Sequence, residues 1–290
     1  MTPDTGDHDL DWHRAVPDLR NPIVIAAFEG WNDAGDAATT AVRHLIERFD
    51  ATPLVSIDPE RYFDFSTTRP LVHLDEDRRR SITWPSTEVF AARVPAAEHD
   101  VVLVVGLEPQ LQWRRFCRQV LAIAELVEAS SVITLGALLA DVPHTRPVEV
   151  YGATDDPALM ERLDLSPSTY EGPTGIVGVL TTESTAVGHA TTTYWAAVPS
   201  YVPGAPSPKA ALALVHRACE TLGTSVFVTD LEIAAASYER QVDELVAEDD
   251  DTAAYVRDLE EEWDEAEADD LEDDPELLVA EVEEFLRDVD

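Results

Sequence analysis

Apolar residues in this chain come in compact runs separated by polar, acid-rich stretches. "IVIAAF" at residues 23–28 and "DVVLVVGL" at 100–107 are continuous rather than alternating, as in strands buried on both faces. "PLVSI" (53–57), "VFAARV" (89–94), "SVITLGAL" (131–138) and "TTTYWAAVPSYV" (191–202) also read as strands. Between them the apolar spacing changes to that of helices. Ala38, Val42, Leu45, Ile46 and Phe49 share one helical face, with Asn32 or Asp33 placed to cap it. Trp113, Phe116, Cys117, Val120, Leu121, Ala124 and Val127 share another, over residues 111–128. Pro157 to Leu163 predicts a short helix, and a small-residue helix follows "EGPTG". A further helix after the Pro-rich "PGAPSP" is stopped by Gly223.

This alternation predicts an α/β fold: a parallel sheet with helices on its faces. "IVIAAF", its helix and "PLVSI" form the opening βαβ pattern. "LVHLDEDRRRSITW" breaks it with two short strands, Leu71–Leu74 and Ser81–Trp84, around a charged turn. That reads as a β-hairpin insertion, either an oligomer contact or a plain surface excursion. "ADVPHTRPVEVYG" reads as a loop. Residues 1–20, polar and acidic, read as a flexible N-terminal arm and not as a secretory signal. The α/β domain then spans 21–229. From residue 230 glycine disappears, yet helical stripes persist: Tyr238, Val242, Leu245 and Val246; Tyr255, Leu259 and Trp263; Leu278, Val282, Phe285, Leu286 and Val289. Residues 230–290 are therefore expected to be a helical appendage docked on the domain or on a neighbour, with linkers at 248–251 and 269–274.

Charge sharpens this picture. The net charge is −38, and from residue 239 onward 25 acidic residues face 3 basic ones. Such a field repels nucleic acid and anionic membranes, and neither is an expected partner. No apolar run reaches the length of a membrane span, so the expected compartment is the cytoplasm. Lys209 is the only lysine. The two cysteines, Cys117 and Cys219, fall in apolar helical patterns and read as buried thiols rather than a disulfide.

The usual catalytic motifs are missing. Gly30 and Gly35 have the spacing of a phosphate loop, but no lysine follows. There is no dinucleotide fingerprint, nucleophile elbow, H-E-x-x-H or C-x-x-C. No metal or cofactor is expected, and "HDLDWH" near the start is too weak a cluster to change that. Three loops remain where α/β sheets place ligands, beyond the carboxyl ends of strands. In "FEGWNDAGDA", Glu29, Gly30, Asn32 and Asp33 offer polar contacts and helix-start amides; the structural alternative is a capped turn. In "LADVPHTRP", His144, Thr145 and Arg146 offer an acid/base group, a hydroxyl and an anion clamp; the alternative is an arginine paired with a carboxylate and a histidine capping a turn. In "YEGPTGI", Glu171, Gly172 and Gly175 offer a carboxylate base and a helix entrance; the alternative is a glycine turn that lets helix and sheet pack closely. No catalytic residue is assigned.

Taken in order, "GWNDAGDA", "DVPHTRP", "YEGPTGIVGVL" and "YVPGAPSPKAA" resemble the PAC2 family of proteasome-assembly-chaperone-like proteins in its actinobacterial form, over Ile23 to Gly223. The resemblance implies a three-layer α/β/α sandwich of phosphorylase/hydrolase-like type with added C-terminal helices. It implies a homo-oligomer, with a trimer as the form to test and the hairpin as its contact. It also implies a protein-binding, assembly-chaperone-like role with a proteasome-related partner. The alternative is a small-ligand binder or enzyme whose three loops line one crevice under the C-terminal helices. Some eukaryotic and archaeal relatives use a C-terminal hydrophobic–tyrosine–any-residue tail; this chain ends "FLRDVD".

Overall fold

The computed structural model describes residues 9–75 and 77–273. Ten strands form in chain order: β1 (Leu10–Trp12), β2 (Ile23–Glu29), β3 (Thr52–Ile57), β4 (Leu71–Leu74), β5 (Arg80–Thr83), β6 (Thr87–Ala92), β7 (Val101–Leu107), β8 (Ser131–Ala140), β9 (Val150–Thr154) and β10 (Ala190–Pro199). The α-helices are α1 (Ala37–Arg48), α2 (Trp113–Leu126), α3 (Pro157–Leu163), α4 (Ile176–Ala186), α5 (Pro208–Leu222), α6 (Thr229–Ala247) and α7 (Asp250–Asp273).

Eight strands make one sheet in the order β1-β3-β6-β7-β2-β8-β10-β9. Its centre is parallel, through β7–β2, β2–β8 and β8–β10. Its flanks are antiparallel, through β1–β3, β3–β6, β6–β7 and β10–β9. The expected parallel sheet is found at the centre, and the antiparallel flanks make the whole a mixed one. The βαβ reading fails in one respect: β3 does not lie beside β2, because β6 and β7 are inserted between them. No local pattern signals that insertion, since a buried strand reads the same beside any neighbour. β9 was hidden for a different reason: it is a five-residue outer strand inside a stretch that reads as a loop.

Alternation along the central strands sorts the core into two. Ile23, Ile25 and Ala27 of β2, with Val101, Leu103 and Val105 of β7, pack against α1 and α5. Val24, Ala26 and Phe28, with Val102 and Val104, pack against α2 and α4. This is the three-layer α/β/α arrangement. α6 lies on α5, and α7 returns along α6. Of the expected α6 stripe Tyr238 and Val242 are buried, while Leu245 is exposed; of the expected α7 stripe Leu259 is buried, beside Val256, while Tyr255 is exposed. α7 continues through residues 269–273, where a linker was expected. The Leu278–Val289 stripe lies outside the described residues. No helix among the described residues is long and apolar enough to cross a membrane.

The segment expected as a loose arm joins the sheet from Asp9 onward. Leu10, Asp11 and Trp12 pair with Ile57, Ser56 and Val55. The Asp9 side chain is 3% exposed; it meets Arg61 Nε at 2.9 Å, accepts from Arg115 Nε at 2.5 Å and accepts the Tyr62 hydroxyl at 2.8 Å. Burial raises the Asp9 carboxyl, but the Arg115 and Tyr62 hydrogen bonds and the two guanidinium charges outweigh it and leave it below the usual range. Asp9→Ala removes this clasp, taking the acceptor from the buried Tyr62 hydroxyl while leaving Arg61 and Arg115 partly open to water. It should lower the unfolding free energy by about 2 kcal/mol in urea titration. No measurable change would show that β1 is held by backbone pairing alone.

Candidate functional site

Beyond the carboxyl end of β2 the chain turns through Gly30, whose φ of +119° favours glycine. Asn32 and Asp33 then run alongside β8, with the Ala137 N–H donating to the Asn32 carbonyl at 2.8 Å. One 3-10 turn (Ala34–Asp36) separates Asp33 from α1. Asp33 nonetheless reaches the helix start. Its Oδ1 accepts the amides of Ala38 (2.6 Å) and Thr39 (3.3 Å), and its Oδ2 accepts the Thr39 hydroxyl at 2.5 Å. Burial raises the Asp33 carboxyl above its ordinary value, against those three hydrogen bonds. The chain thus supplies its own carboxylate to the amides where an external anion was considered. Glu29 is drawn off to an ion pair with Arg43. Gly35, at φ +60°, packs on the 205–207 loop and accepts the Ser207 N–H at 2.7 Å.

The entrance to α4 repeats this arrangement. Glu108 directly follows β7, and its Oε1 accepts the first helical amide, Ile176, at 2.9 Å. The same oxygen accepts Asn32 Nδ2 at 2.6 Å. Asn32 is fully buried, and its Oδ1 has no hydrogen-bond partner among the described residues. A Cβ on Gly175 would stand 2.1 Å from that oxygen, so the glycine is needed for close approach of the two loops. Glu171 and Gly172, by contrast, lie exposed at the surface, where the Tyr170 hydroxyl closes the turn onto the Pro173 carbonyl at 2.9 Å.

After β8, the loop "VPHTRP" meets the C-terminal helices. His144 is 3% exposed. The Tyr201 hydroxyl accepts the His144 backbone N–H and donates to its Nδ1, both at 2.8 Å, which leaves the Nε2 proton for Asp243 of α6 at 3.0 Å. The Thr145 hydroxyl donates to Glu260 of α7. Arg146 grips Asp264 of α7 with two 2.7 Å hydrogen bonds, the bidentate geometry that guanidinium favours. Those bonds hold the Asp264 carboxyl below its ordinary value. Lys209, in the first turn of α5, donates to the carbonyls of His144 (2.8 Å) and Arg146 (2.7 Å) and pairs with Glu239 of α6. The cavity at this corner holds about 10 Å³, room for one water.

The expected residues therefore meet in two groups rather than one. Asn32 touches Gly175, whereas His144, Thr145 and Arg146 turn to α6 and α7. Each anion-type position is occupied from within: the α1 amides by Asp33, the α4 amide by Glu108, Arg146 by Asp264. Sequence reasoning passed over Glu108 and Lys209. Both left a signal: Glu108 sits at the carboxyl end of a buried strand, and Lys209 is the sole lysine at a helix start, where a cation is unfavourable without a nearby acceptor. The partners of His144, Thr145 and Arg146, namely Tyr201, Asp243, Glu260 and Asp264, left none, since contacts across 57 to 118 residues have no local pattern. Among the described residues no group of three or more His, Cys, Asp or Glu could hold a metal.

These loops sit within a match to the PAC2 family model over residues 27–246. The chain belongs to the PAC2 family. It is 44% identical to a Mycobacterium tuberculosis proteasome-assembly chaperone homologue, Rv2125, covering 81% of this chain and 99% of that one at a TM-score of 0.73. A PAC2 family protein from Streptomyces avermitilis is also 44% identical, with the same coverage and a TM-score of 0.74. The archaeal proteasome activator PbaB of Pyrococcus furiosus shares the fold at 16% identity, covering 81% of this chain and 97% of that one, TM-score 0.65. No curated protein matches the sequence.

The Asn32–Gly175 contact can be tested by a double-mutant cycle. Gly175→Ala should cost about 2 kcal/mol of stability by overpacking. Combined with Asn32→Ala, the total should fall short of the sum of the singles by about 1 kcal/mol. Strict additivity would mean that the two loops do not touch in solution.

Proposed function

We propose that the protein is a non-enzymatic, assembly-chaperone-like protein that works in the cytoplasm as a homo-oligomer, a trimer, and binds protein subunits of a proteasome-related assembly. The observation that carries this reading is the occupation of the sheet-end loops by the chain's own carboxylates. A hydrolytic or transfer reaction needs a free nucleophile, base or anion clamp in the crevice. Here His144 and Arg146 already bridge to α6 and α7.

Binding surface is available elsewhere. Leu71, Val72, Leu74, Ile82 and Trp84 are all exposed on or beside the β4–β5 hairpin, a concentration of bare apolar side chains that marks contact surfaces. The similarity to a proteasome-assembly chaperone homologue, and the fold shared with a proteasome activator, support a protein partner.

The test mixes the purified protein with purified proteasome subunits and follows co-elution. In parallel, thermal unfolding is recorded with panels of nucleosides, phosphates and peptides. Co-elution with unassembled or part-assembled rings, with no small-molecule shift, is the expected result. A dose-dependent rise in melting temperature with a small ligand, and no co-elution, would replace this reading with the ligand-binding one.

A further inference from the structure

β2 and β7 are adjacent and parallel, yet the helices that follow them pack on opposite faces of the sheet. α1 leaves the end of β2 for one face, and α2 leaves the end of β7 for the other. That divergence is a topological switch point, and open α/β sheets bind small molecules in the crevice it leaves beyond the carboxyl ends of the strands. Asp33 and Glu108 fill the helix entrances nearby. The α1 flank stays open, as a groove of about 620 Å³. Glu29, the last residue of β2, and Leu107, the last of β7, both line it. Small-molecule sites occupy about 300 to 1,000 Å³.

The lining is apolar beneath and charged around. Phe90 of β6 and Val105 of β7 give it an apolar floor, and Ile46 of α1 an apolar wall. Trp84 lines it from the base of the β4–β5 hairpin, its ring held edge-to-face by Phe65 with centroids 4.9 Å apart. Five charged side chains reach the groove: Glu29, Arg43, Glu47, Arg69 and Glu88. Three of them are already matched, since Arg43 pairs with Glu29 and His13 Nε2 stands 3.6 Å from Glu88. Glu47 of α1 and Arg69 before β4 are exposed and have no side-chain partner among the described residues. One carboxylate and one guanidinium therefore remain, on different elements, around an apolar floor. A simple anion would face Glu47 unpaired, and a simple cation would face Arg69. A molecule with both charges and an apolar body complements the whole groove.

We infer that this groove binds a free aromatic α-amino acid. Arg69 takes the carboxylate, in the two-bond geometry a guanidinium favours. Glu47 takes the ammonium, and the ring packs over Phe90 and Ile46 beside Trp84. The site is additional to the protein-binding role. Its ligand is none of the nucleosides, phosphates or peptides that are expected to leave the melting temperature unchanged.

Equilibrium binding to the full-length protein tests this with L-phenylalanine and L-tryptophan, each up to about 10 mM, a range that fills even a millimolar site. Each is compared with the matching amine, which lacks the carboxylate, and the matching acid, which lacks the ammonium. The amino acid should bind more tightly than either by about fivefold or more. Arg69→Ala should erase the advantage over the amine, and Glu47→Ala the advantage over the acid. Both side chains are exposed, so neither variant should move the melting temperature of the free protein. No saturable binding of either amino acid would overturn the assignment. So would binding no tighter than that of amine and acid, or binding that both variants leave unchanged. Co-elution with proteasome subunits is a separate readout, so this site and the protein-binding role fail independently.

Discussion

Charge balance is the constraint on which this structure turns. With 58 acidic residues and 20 basic ones, donors are scarce and carboxylates are not. A carboxylate can leave water only where hydrogen-bond donors or cations replace its hydration. The fold uses helix-start amides for two of them, Asp33 and Glu108. It uses arginines for another, Asp9 with Arg61 and Arg115. Lys209 joins the 144–146 loop, α5 and α6 at one nitrogen.

This allocation explains why the sheet's carboxyl edge carries features of an anion site whose donors are already engaged by the chain's own carboxylates. Helix entrances and an arginine clamp are the parts from which phosphate sites are built. In this chain the same parts hold the protein together. The acidic appendage is therefore neither a bare solvating tail nor attached by apolar contact alone. Tyr238, Val242, Val256 and Leu259 are its buried apolar contacts. His144, Thr145, Arg146 and Lys209 fix where they land.

Much of the fold was legible because its signals are local. Continuous apolar runs marked the central strands. Helical spacing marked α1, α2 and α5, and Ser207–Pro208 and Gly223 bound α5 as its cap, first residue and stop. The hairpin was legible from its charged turn, one residue out of register in its second strand. Sheet order was not legible, since β3, β6 and β7 rearrange through pairings that local sequence does not encode. Of the site, the loops were legible as loops, and the capping alternative for Asp33 and the pairing alternative for Arg146 hold. Which carboxylate meets Arg146 was not legible among the 25 acidic residues of the last 52. Nor did the acid-rich start of the chain announce that Asp9 is buried.

Amide hydrogen exchange in Arg146→Ala tests this account most directly. If the VPHTRP loop fixes the appendage through charge, exchange across residues 250–268 should quicken markedly while β2, β8 and α1 keep their protection. Unchanged protection of α7 would contradict it, because the apolar stripe would then hold the helix without Arg146.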